Sequence, residues 1–158
     1  MPDEFTEAMR ELEIGNVDRA IDFLLKVIMN KPSLTDAYRL IAICYLASKE
    51  WGSALAFFKK YDELSPGDPG ILVNIGKLEG NLGNFELALE YFQKAMSSLE
   101  TLIARGQPNL EQSHAELQHL IDGTRQMISQ KQLLEQQAKQ QADDHKEKFK
   151  EFIDELDE

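Results

Sequence analysis

Residues 35–68 read TDAYRLIAICYLASKEWGSALAFFKKYDELSPGD, a stretch of 34 residues that recurs in altered form on both sides. Ala54 has counterparts 34 residues away at Ala20 and Ala88, and Phe58 has them at Leu24 and Phe92. Trp51 answers to Val17 and Phe85, and Leu55 to Ile21 and Leu89. Ala42 stands between Ala8 and Gly76, and Pro66 is in phase with Pro32. A fixed period with small, aromatic and proline positions in register means one supersecondary unit used three times. Such a unit cannot bury its apolar face alone and stacks on its neighbours.

Within the quoted stretch, Tyr38, Ile41, Ala42 and Tyr45 follow helical spacing, as do Ala54, Leu55, Phe58 and Tyr61. Trp51-Gly52 marks the turn between them, and Ser65-Pro66-Gly67 closes the unit. The first unit carries Phe5, Ala8, Met9 and Leu12, a turn at Gly15-Asn16 with Asn16 as a cap, then Val17, Ala20, Ile21, Leu24, Val27 and Ile28. Asn30-Lys31-Pro32-Ser33 ends it, since proline lacks the donor a helix needs. The third opens on Asp68-Pro69, turns at Gly83-Asn84 and continues through Phe85, Ala88, Leu89, Phe92 and Ala95.

The period stops near residue 102. Gly106-Gln107-Pro108 breaks the chain, and Asn109 is placed to cap a new helix. Leu110, Leu117, Leu120, Ile121, Met127, Ile128, Leu133 and Leu134 then form a stripe suited to a helix over residues 109–134 that covers the last repeat. Glu135–Lys148 holds no large apolar residue and reads as a linker or a solvated helical extension. Beyond it Phe149, Phe152, Ile153 and Leu156 make one helical face among acids, and residues 143–158 carry a net charge of −5. That tail is complementary to an apolar groove, and docking in its own groove or a neighbour's is one expectation; a disordered acidic tail that aids solubility is the other, and the one the sequence favours.

The repeat resembles the tetratricopeptide repeat family through Tyr38, Ile41, Ala42, Tyr45, Ala54, Phe58, Tyr61 and Pro66. Leu72, Ile75, Gly76, Gly83, Phe85, Ala88, Phe92 and Ala95 carry the likeness in the third copy. The first copy fits through Gly15, Ala20, Leu24 and Pro32, while Glu4, Glu7 and Glu11 stand where bulky residues are usual. The resemblance implies an all-α fold, a right-handed superhelical stack (an α-solenoid) of repeats 1–34, 35–68 and 69–102 with a C-terminal capping helix. It implies a concave groove lined by the first helix of each repeat. The inward positions would be Phe5, Met9, Leu12, Arg39, Leu40, Ile43, Val73, Asn74 and Lys77. One subset of the family clamps acidic chaperone tails with Lys, Asn and Arg. The matching positions here are Phe5, Met9, Leu40, Gly70 and Asn74, none of which carries the clamp's residue.

Bulk chemistry narrows the function. A net charge of −11 opposes nucleic acid and anionic membranes as partners. No apolar run approaches a membrane span, no secretory leader is visible at the start, and one cysteine gives no internal disulfide. The cytoplasm is the expected compartment. Catalytic and metal constellations are missing: His114 and His119 fall on different helix faces, Cys44 reads as a small buried residue, and no cofactor motif occurs. Glu11 and Glu13 read as solvated face. The expectation is a non-enzymatic module binding a helix or peptide of a partner protein. The alternatives are a chaperone like those of type III secretion and a subunit that self-assembles by tail-in-groove contacts.

Overall fold

The computed structural model describes residues 3–156, all of whose regular structure is helical. The helices are α1 (Glu4–Glu13), α2 (Val17–Asn30), α3 (Thr35–Ala47), α4 (Trp51–Leu64), α5 (Pro69–Asn81), α6 (Phe85–Ala104) and α7 (Glu111–Leu156). They pair as α1/α2, α3/α4 and α5/α6, each packed on the next in sequence order, in an all-α right-handed superhelical stack closed by α7.

The phased positions are the core. Ala8, Ala20, Ala42 and Ala54 are fully buried and Ala88 nearly so, because each lies where two helices of a pair approach too closely for a larger side chain. Leu24, Phe58 and Phe92 fill the space beside them. Gly76 takes the alanine position in the third repeat, and the Phe92 ring lies against it. The turns repeat too. Gly15, Lys49 and Gly83, 34 residues apart, take left-handed φ values of 79°, 60° and 83°. The second turn is therefore carried by Lys49, and Trp51-Gly52 already belongs to α4.

Caps differ from expectation at two places. Asp68 accepts from the Gly70 and Ile71 amides, and Asp3 from the Thr6 amide. Asn16 precedes α2, but its side chain makes no cap hydrogen bond. Asn109 does not cap α7: it turns left-handed at φ 63°, and the Leu110 carbonyl accepts the first helical amide from His114.

The C-terminal part is simpler than the division into cap, linker and tail. α7 is one unbroken helix of 46 residues. Its first turns are buried through Leu117 and Ile121 against Leu72, Phe92, Met96 and Leu99. From Ser129 onward its described residues are exposed, so residues 135–156 take the form of the solvated helical extension. The tail does not return to its own groove, because no turn interrupts the helix that carries it.

Glu11 is not solvated face. It is 7% exposed, its Oε1 lies 3.5 Å from Arg19 Nη1, and its Oε2 has no hydrogen-bond partner. It occupies the same repeat position as Tyr45 and Glu79, which points into the stack whatever residue fills it. Cys44 is buried, and burial pushes its thiol pKa up.

Candidate protein-binding groove

The nine anticipated groove residues separate into groups. Met9 and Ile43 are exposed apolar side chains on α1 and α3. Leu12, Arg39 and Leu40 are half-buried, with Arg39 Nη2 3.6 Å from Asp36 Oδ1 and Leu40 packed at the edge of the core around Ile41. Phe5, one turn before Met9 on α1, packs against the same core cluster as Leu40. With Val27 and Leu34 it lines a cleft of about 290 Å³ at the junction of α1 with the loop before α3.

Val73, Asn74 and Lys77 come together on α5, and α7 faces them. Val73 and Lys77 share a cleft of about 500 Å³ with Leu99 and Leu102 of α6 and Leu117 and Leu120 of α7. Lys77 and Leu120 also border the next cleft, of about 610 Å³, which continues to Gly80, Phe85 and Met127. A third hollow carries on from Phe85 and Met127 to Leu134. The three form one trough whose floor is α5 and α6 and whose wall is α7. Its lining is mainly apolar, with Glu116 and His119 on the α7 side, and Lys77 stands exposed at its middle with no ion-pair partner among the described residues.

Sequence spacing alone reads the whole stripe on α7 as capping and does not show the wall. Leu117 and Ile121 do cap. Leu120 is half-buried and Met127 exposed, since the stripe is wider than the face of α6 it covers. Counting the arc of that stripe against a single partner helix would have exposed the surplus.

Behind the trough, α4 and α5 are joined by a buried carboxylate. Glu79, 2% exposed, accepts from Lys59 Nζ at 2.6 Å and from Asn84 Nδ2 at 2.8 Å. Burial pushes its pKa up, but the Lys59 and Asn84 hydrogen bonds and the Lys59 charge more than offset this and leave it below the usual carboxylate value. Among the described residues no three His, Cys, Asp or Glu side chains converge as a metal site, and no helix is long and apolar enough to cross a membrane.

A model of the tetratricopeptide repeat matches residues 69–98, which are α5 and most of α6. That segment matches the tetratricopeptide repeat, and the rest of the chain shares the fold of such repeats. Solved structures of similar fold include three of note. A crystal structure of MamA protein aligns with a TM-score of 0.58 at 24% identity, over 64% of this chain and 55% of that one. This chain thus spans little more than half of MamA's length. The type III secretion chaperone SycD of Yersinia enterocolitica, in complex with a peptide of the translocator YopD, aligns with a TM-score of 0.66. Its identity is 9%, over 79% of this chain and 92% of that one. The first TPR of Spaghetti (RPAP3), bound to the HSP90 peptide SRMEEVD, aligns with a TM-score of 0.62 at 15% identity, over 80% and 90% of the two chains. At these identities the likeness is one of fold. No curated protein sequence matches the chain.

Proposed function

We propose that this protein is a non-enzymatic interaction module that binds a helix or short peptide of a partner protein in its apolar groove, working in the cytoplasm. The observation that carries this reading is the mainly apolar trough between α5 and α7 with Lys77, which has no ion-pair partner among the described residues, at its middle. Each large side chain buried there contributes about 1.5–3 kcal/mol before the cost of ordering. The preferred ligand carries apolar residues at helical spacing and a carboxylate between them for Lys77. The bound peptides of SycD and Spaghetti support the class of activity. The mode differs from a carboxylate clamp, because Phe5, Met9, Leu40, Gly70 and Asn74 lack the charge-assisted donors a terminal carboxylate needs.

Peptide display against the full chain tests this. Selected peptides should share apolar residues at i, i+3 or i+4 and i+7, and should lose at least about tenfold in affinity for Val73→Lys and Leu120→Lys. Peptides that bind those variants as well as the parent overturn the reading. A second reading, a chaperone for a secreted or membrane-inserting protein, is favoured by the fold likeness to SycD. It requires a partner that is insoluble alone and soluble on co-expression, and a groove ligand already soluble by itself refutes it.

A further inference from the structure

We propose that the trough takes the last turns of α7 from a second copy of this chain, two copies pairing about a twofold axis. The inference rests on the groove reading above and names one occupant for it.

Phe149, Phe152, Ile153 and Leu156 are 66%, 56%, 40% and 66% exposed, and all four lie on one face at the end of α7. An apolar face of that size held in water marks a contact surface. Their own trough is out of reach. Ile153 follows Leu120 by 33 residues of unbroken helix, which holds the two about 50 Å apart. Only another copy can bring these side chains to the cleft.

The chemistry matches on both sides. The trough offers Val73, Leu102, Leu117, Leu120 and Met127 around Lys77. The tail offers its four apolar residues with Glu151, Asp154 and Glu155 between and beside them, so one carboxylate meets the unpaired ammonium as the apolar face enters. The surfaces are also continuous. Leu120, Met127 and Leu134 border the trough, and the same helical stripe runs on through Ala138, Ala142 and His145 to Phe149. Small residues at Ala138 and Ala142 let two α7 helices approach where they cross. When two copies lie antiparallel, the spacing from trough to tail is the same in each, so each tail reaches the other copy's trough and the assembly closes as a dimer without growing further. Each copy carries −11, so repulsion opposes the pairing and salt relieves it.

Sedimentation velocity of the full chain over a range of concentrations tests the proposal. The expected result is a monomer–dimer equilibrium with no larger species, shifted toward dimer by salt. Phe152→Ser, on the exposed extension, should abolish the dimer. Lys77→Glu should weaken it about tenfold, and combining it with Glu155→Lys and Asp154→Lys should restore it. Mixing the Phe152→Ser and Lys77→Glu chains should give a heterodimer with one good contact, which pairing between tails alone cannot produce. A chain that stays monomeric at every concentration, or a dimer indifferent to Phe152→Ser and Lys77→Glu, overturns the proposal. If the displayed peptides still bind the trough of such a chain, the groove reading survives and only self-pairing is lost. If they do not, both are lost.

Discussion

Lys59 on α4 donates to Glu79 on α5 across 2.6 Å, tying the second repeat to the third through a carboxylate that Asn84 also holds. The first repeat places Glu11 at the same position, 3.5 Å from Arg19 and with one oxygen unpaired. One residue type at equivalent positions is thus supported in one repeat and incompletely supported in the other. Lys59→Ala should destabilise the fold by about 1–3 kcal/mol, because it leaves a buried charge without its main donor. Glu11→Leu should be neutral or stabilise by about 1 kcal/mol, since it removes an unsatisfied buried acceptor. Urea unfolding of the two variants decides both; a Lys59→Ala midpoint equal to the parent's contradicts the first.

The lowered pKa of Glu79 makes stability depend on pH. Its folded-state value lies below the ordinary 4.5, so the unfolded chain binds the proton more readily. The contribution is fully present above that ordinary value and is lost as pH falls through the folded-state value. Melting temperature should therefore fall more steeply with acid in the parent than in Glu79→Gln. Parallel curves for the two chains would show that Glu79 is not the group responsible.

Two backbone positions should respond in opposite directions. A Cβ on Gly76 would stand 2.5 Å from Phe92 Cε1, so Gly76→Ala forces the ring to move and should cost about 1–3 kcal/mol. Lys49 bears a side chain at φ 60°, where Gly15 and Gly83 stand in the other two turns. Relief of that strain outweighs the added chain entropy, and Lys49→Gly should stabilise by about 0.5–1 kcal/mol. Chemical denaturation of each against the parent measures the two signs.

The two ends of α7 should differ in protection. Residues around Leu117 and Ile121 are packed on α6, whereas residues 135–156 are exposed on every side. A helix without tertiary contacts is marginal. At concentrations where the chain is monomeric, amides after residue 135 should exchange orders of magnitude faster than those near Leu117. Uniform slow exchange along α7 would show that the extension is stabilised by something other than contacts within one chain.

The repeat itself was legible because its constraint is local and periodic. Ala20, Ala54 and Ala88 must be small wherever two helices cross closely, so the alanines mark each crossing without reference to the rest of the fold. The capping role of Leu117 and Ile121 could be read for the same reason, since a stack that ends must cover its last apolar face. The burial of Glu11 was hidden, because a glutamate on a terminal helix looks solvated until the neighbouring helix is placed over it. The trough was hidden too. Val73 and Leu120 are 47 residues apart, and only the angle at which α7 crosses α5 and α6 decides that they face each other across a cleft instead of closing on each other. The amino-acid sequence by itself determined the unit, its number and its core, since these follow from side-chain size at a fixed period. Tertiary structure alone decided where the apolar surface was left over and that α7 runs on as one helix, because both depend on how far a wide stripe outruns the single face it covers.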